Sequence, residues 1–152
     1  MRTIMAVVIS AVLVLTANFA IAGDSATVDV SANVPGNCMF NSGGTMDFGA
    51  LDPAVGGNVN AVVAQPQFWC TKNAAYSLAD DDGLNESGTT HQLIDAVSGD
   101  LIPYTFAYTA SGSGAGKNSP ITMDIAGTSA GADYVDKSEG NYSDTVTLTI
   151  TP

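Results

Sequence analysis

Residues 26–34 read Ala26-Thr27-Val28-Asp29-Val30-Ser31-Ala32-Asn33-Val34. Successive side chains of an extended chain point to opposite faces. Ala26, Val28, Val30, Ala32 and Val34 therefore share one face, and Thr27, Asp29, Ser31 and Asn33 share the other. This period of two predicts a strand with one dry face, and Pro35-Gly36 after it is a turn signal. The far end of the chain repeats the pattern. In residues 144–151, Val146, Leu148 and Ile150 face one way, and Thr145, Thr147, Thr149 and Thr151 the other.

Between these ends the chain reads as short strands and turns. Strands are predicted at 46–51, 60–71, 75–78, 92–94, 100–109 and 121–125. Pro66 lacks an N–H, so the 60–71 strand is an edge or is bulged there. Asp80-Asp81-Asp82-Gly83 reads as a turn, and 111–116 and 127–131 as loops of Gly, Ser and Ala. Turn signals every ten residues or so predict a single all-β domain, an antiparallel β-sandwich of immunoglobulin-like type. Neither a sustained helical period nor a repeat of solenoid length competes with that reading.

Composition narrows function. The 152 residues hold 4 Lys or Arg against 15 Asp or Glu, a net charge of −11. So few cations cannot neutralise a nucleic-acid backbone or grip an anionic membrane surface. Residues 1–22 carry Arg2, an apolar run from Ile4 to Leu15, and a small-x-small end at Ala20-Ile21-Ala22. That order predicts a removed export signal and a mature start at Gly23. The alternative, a membrane anchor, needs an apolar core of roughly 20 residues, which Thr16 and Asn18 cut short. Gly, Ser and Thr make up 41 of the 130 residues after position 22, a composition unfavourable to long helices.

Cys38 and Cys70 are the two cysteines, and an exported chain meets an oxidising compartment. A disulfide between them is expected, the alternative being two free thiols. No catalytic centre or cofactor is expected. Asp80-x-Asp82-Gly83 resembles part of a calcium loop, but Leu78 and Thr89 stand where that loop needs its outer ligands, so a solvated turn is the reading. His91 is the single histidine and is read as a solvated loop residue. Trp69 and the tyrosines read as packing residues. The alternating N-terminal segment either pairs within its own domain or adds to a neighbour's sheet.

Several stretches together give the chain a resemblance to the spore coat U domain family, which is similar to pilin subunits of the archaic chaperone–usher pathway. They are Cys38 with Phe40, Asp47-Phe48-Gly49, Cys70-Thr71 with Tyr76, Asp82-Gly83, Leu101-Ile102-Pro103-Tyr104, and the run from Gly140 to Val146. The resemblance implies an incomplete immunoglobulin-like fold whose missing strand is supplied in trans. It implies a periplasmic chaperone and an outer-membrane usher as partners, with copies of the chain or related subunits joining by donor-strand exchange. By that analogy residues 23–35 are the donor segment, with Ala26, Val28, Val30, Ala32 and Val34 as inserted side chains. Residues 36–152 are then the pilin-like body, with Val146, Leu148 and Ile150 on the acceptor edge. The expected protein is a non-enzymatic structural subunit of a bacterial surface fibre or coat, exported through the periplasm, without membrane insertion after signal cleavage. The rival readings are a monomeric extracellular carbohydrate- or calcium-binding module and, last, a secreted hydrolase.

Overall fold

The computed structural model describes residues 23–152, so the export signal predicted over 1–22 lies outside the described residues. The chain divides into two units, residues 1–33 and 34–152. In the first, residues 23–33 form no strand, and Val28 and Val30 are 84% and 90% exposed. Here the strand predicted over 26–34 is absent. Alternation decides which side chains share a face, but a strand also needs an edge to bond to. None among the described residues pairs with this segment.

The second unit is nearly all β. Its first half runs β1 (Cys38–Ser42), β2 (Thr45–Asp47), β3 (Val59–Asn60), β4 (Val62–Ala64), β5 (Gln67–Cys70) and β6 (Ala75–Asp80). The second half runs β7 (His91–Asp95), β8 (Leu101–Tyr104), β9 (Ser111–Ser113), β10 (Ile121–Thr122) and β11 (Thr128–Ser129). A one-turn helix α1 (Gly131–Tyr134), β12 (Tyr142–Ser143) and β13 (Leu148–Thr151) complete the chain. Three sheets have the orders β1-β5-β10, β13-β6-β9 and β12-β7-β8, and β2 with β4 and β3 with β11 form pairs. Every described ladder is antiparallel, the arrangement of a β-sandwich.

The core gathers where alternate side chains of these sheets meet. Phe68, Cys70, Leu78, Met123 and Ile125 are buried together, with Phe40, Met46, Tyr76, Phe106, Leu148 and Ile150 packed against them. Phe68 is 1% exposed and meets the rings of Phe40 and Tyr76 edge-on, at 6.0 and 5.0 Å. Cys38 and Cys70 lie directly opposite each other in the β1–β5 ladder and are joined by a disulfide.

The strand predicted over 60–71 is broken into the end of β3, then β4 and β5, and Pro66 stands at the break between β4 and β5. The neighbouring Gln65 repairs the interruption. Its Nε2 donates to the Ile125 carbonyl and its Oε1 accepts from the Ile125 N–H, both at 2.7 Å. A carboxamide carries one donor group and one acceptor, like a peptide unit, so it replaces the missing ladder bonds. Two predicted loops are partly ordered. Residues 111–113 form β9 because Gly112 lies against Tyr76, where a Cβ would come within 2.5 Å of the phenol oxygen. Thr128–Ser129 forms β11 before α1. The polar turn predicted from Asp80 starts one residue later, since Asp80 pairs with Leu148 at the end of β6.

Candidate functional site

Two sheet edges face one groove. β1 is an edge strand of its sheet, β13 is an edge strand of another, and the two approach each other. Among the described residues no strand pairs with the free edge of β13. The groove between them measures about 600 Å³. One wall is residues 42–46 and the other residues 144–148, with Phe40, Met46, Phe106 and Ile125 among its apolar lining. Gly44 lets the first wall lie close against residues 64–66, because a Cβ there would lie 2.5 Å from the Ala64 carbonyl oxygen. Of the residues predicted on the acceptor edge, Val146 and Leu148 line the groove. Ile150 packs instead against the core.

The strand predicted over 144–151 is paired from Leu148 onward. Ahead of it, the ladder with β6 ends in a side chain: Asp81 Oδ1 accepts from the Thr147 N–H at 2.8 Å, while the Asp81 N–H donates to the Thr147 carbonyl at 3.2 Å. Residues 144–147 thus run along the groove wall without belonging to a strand.

Asp144 and Tyr104 form a polar part of this lining. The Tyr104 hydroxyl donates to Asp144 Oδ2 at 2.8 Å, and Asp144 Oδ1 accepts from the Leu84 N–H and from Asn85 Nδ2, each at 3.0 Å. Burial, then the adjacent Asp144 carboxylate, push the Tyr104 phenol well above its ordinary value. Gly83 makes the approach of Asp144 feasible. Its φ is +90°, and a Cβ there would sit 2.3 Å from Asp144 Oδ2.

A second hollow, of about 440 Å³, shares Tyr104 and Phe106 with the groove and is lined also by Asp80, Asp82 and His91. The structure corrects the reading of His91 as a solvated loop residue. His91 begins β7, is 7% exposed, and stacks on Phe106 at 5.1 Å between centroids. Its Nε2 lies 2.7 Å from Asp80 Oδ2, and the Tyr108 hydroxyl donates to Asp80 Oδ1 at 2.7 Å. Burial alone would raise the Asp80 pKa, but the hydrogen bonds from Tyr108 and His91 outweigh it and hold the carboxyl below its ordinary value. Tyr108 is pushed up to about 12, by burial first and then by Asp80. Asp80, Asp82 and His91 each present a ligand atom within 4.8 Å of the others, a spacing a metal ion could bridge. Asp80 already has a partner on each oxygen, so Asp80, His91 and Tyr108 stand as a half-buried hydrogen-bond network. Leu78, at position one of the calcium-loop register, is a core residue.

Sequence reading missed both networks. Tyr104 and Asp144 are 40 residues apart, and Tyr108 and Asp80 are 28 apart. No short motif spans such distances. The one local signal was Asp82-Gly83, whose positive φ values of 59° and 90° turn the chain toward Asp144.

Fold and site together define a class: an all-β, disulfide-linked domain with an apolar groove open between two sheet edges. The sequence matches the Spore Coat Protein U domain family over residues 24–149, and the chain belongs to that family. No curated protein matches the sequence. Among solved structures, the chain is similar to the CsuC–CsuE chaperone–tip adhesion subunit pre-assembly complex from archaic chaperone–usher Csu pili of Acinetobacter baumannii. That similarity has 18% sequence identity and a TM-score of 0.44, and it covers 77% of this chain and 40% of the other.

Proposed function

We propose that this protein is a structural, non-enzymatic subunit of a bacterial surface fibre or coat, and that it polymerises by donor-strand exchange. The observation that carries this reading is a pair of complementary deficits in one chain. An apolar groove lies along residues 144–148, and an alternating apolar segment, 26–34, has no strand partner among the described residues. Family membership supports it. In this reading the body is an immunoglobulin-like sandwich short of one strand. Residues 23–35 of one copy supply that strand to the next, with Ala26, Val28, Val30, Ala32 and Val34 turned inward. Val146 and Leu148 belong to the acceptor wall.

Full burial of a Val side chain contributes about 1.5–3 kcal/mol. Insertion also satisfies the free backbone groups of a sheet edge, and alternate side chains fix the register. Before assembly a periplasmic chaperone covers the groove, and an outer-membrane usher exchanges that cover for the donor segment.

The test is Val30→Asp, which would place an unpaired charge in the groove at a cost of several kcal/mol. Sizing of the exported protein is expected to show loss of polymers with a body that still folds with its chaperone. Polymers of normal length from Val30→Asp would rule out insertion of this segment.

A further inference from the structure

The end of β6 and the start of β7 bring three metal-binding groups together. A carboxylate oxygen of Asp80, one of Asp82 and a ring nitrogen of His91 all lie within 4.8 Å of one another. Zinc holds nitrogen and oxygen ligands at about 2.0–2.2 Å, so two ligands of one ion stand up to about 4.4 Å apart. Convergence on a single ion therefore takes only a small adjustment, and Asp82, half-buried in the turn after β6, has room to make it. Asp80 is engaged by Tyr108 and His91, and Asp81 by Thr147 and Gly83, whereas the Asp82 carboxylate has no hydrogen-bond partner among the described residues.

The other two groups are already fixed. His91 is 7% exposed, and its ring is held against Phe106. The Tyr108 hydroxyl donates to Asp80 Oδ1, which leaves Oδ2 facing His91 Nε2 at 2.7 Å. Ligating carboxylates are oriented in just this way, by a hydrogen bond from a group outside the coordination sphere. No Lys or Arg lines the hollow, so no side-chain cation neutralises its two carboxylates. Its volume, about 440 Å³, leaves space for water at the remaining coordination positions.

Without metal, a proton joins Asp80 Oδ2 to His91 Nε2. A bound ion takes the place of that proton on Nε2, and the neutral imidazole carries its proton on Nδ1. The donor set chooses the ion. One imidazole and two carboxylates suit zinc and neighbouring transition metals, whereas calcium takes about six to eight oxygens and magnesium keeps most of its water.

We propose that Asp80, Asp82 and His91 form a binding site for a divalent transition metal of the zinc type, completed by water. The inference is independent of the donor-strand reading. Bound there, the ion ties the end of β6 to the start of β7 across the intervening turn. Through the stack of His91 on Phe106 it also braces one ring of the groove lining.

The experiment uses the untagged exported chain, stripped of metal and titrated with zinc, calcium or magnesium. His91 is the single histidine, so its ring signals in an NMR spectrum identify themselves. Zinc is expected to saturate at one ion per chain, to move those signals, and to raise the melting temperature as its concentration rises. Calcium and magnesium at the same concentration are expected to leave the His91 signals in place. Asp82→Asn is expected to weaken zinc binding by about tenfold or more, since losing even a group that only orients a ligand costs about 10–100-fold. Asp82→His is expected to restore the affinity, which separates ligation from charge. Glu86→Gln removes an exposed charge from the same turn, outside the hollow, and is expected to leave zinc binding unchanged. Absence of zinc uptake, uptake that leaves the His91 signals unmoved, or equal affinity in wild type and Asp82→Asn overturns the site. Calcium moving the same signals at equal concentration overturns the choice of metal. The wild-type spectra decide the matter even if a variant does not fold.

Discussion

The hydroxyl of Tyr104 donates to the carboxylate of Asp144 at 2.8 Å, joining β8 to the groove wall across 40 residues of sequence. A hydrogen bond to a charged group contributes about 1.5–3 kcal/mol. Tyr104→Phe keeps the ring in place, 5.6 Å from Phe48 and 5.4 Å from His91, and removes that bond alone. Denaturant titration at neutral pH is expected to show a loss of that size. The phenol pKa is raised in the folded state, so its contribution is whole below the ordinary value near 10 and falls as pH climbs above it. Tyr108 adds to the same loss between its ordinary value and about 12. Thermal melts are therefore expected to drop above pH 10 in wild type and to drop less steeply in Tyr104→Phe.

Asp80 gives the opposite branch. Its carboxyl is held below its ordinary value of 3.8, so the stability it contributes is present above that pH and is lost as pH falls below it. Asp80→Asn removes the charge that receives Tyr108 and His91. The variant is expected to be less stable than wild type at pH 7 and to lose less on acidification. Melting temperatures recorded from pH 7 to pH 3 check both slopes; parallel curves would show that Asp80 does not carry this dependence.

Two glycines separate conformation from contact. Gly49 and Gly83 both have positive φ, 63° and 90°. A Cβ at Gly49 meets nothing within 4 Å, whereas one at Gly83 strikes Asp144. Gly49→Ala is expected to cost about 1–2 kcal/mol, the left-handed penalty alone. Gly83→Ala is expected to cost about 1–3 kcal/mol more, through overpacking and displacement of Asp144. Equal losses in chemical denaturation would mean that Gly83 serves only its turn.

The disulfide closes a separation of 32 residues. The chain-entropy account assigns such a loop about 3.5–4 kcal/mol, a large part of a typical domain's 5–15 kcal/mol. Cys38→Ser with Cys70→Ser is expected to lose that amount in urea titration, with little change in the groove. Intact wild-type protein is expected to weigh about 2 Da less before reduction than after, one hydrogen per thiol.

Local pattern was enough for the all-β class, for most strand positions, and for the cysteine pair. Alternation, turn residues and Pro66 act over a few residues, where the chain's own geometry decides the outcome. Tertiary structure decided the rest, because those features depend on partners brought from far along the chain. Residues 26–34 alternate perfectly and still form no strand, since no described edge bonds to them. Pro35-Gly36 signals a turn and makes none; the Asn37 N–H that would close it donates instead to Thr71 Oγ1, more than thirty residues away. His91 reads as a solvated residue and is buried, because Asp80 satisfies its nitrogen and Phe106 covers its ring. The groove has no sequence signature of its own: it is the space left where two sheets end beside each other, and only their packing places those edges face to face.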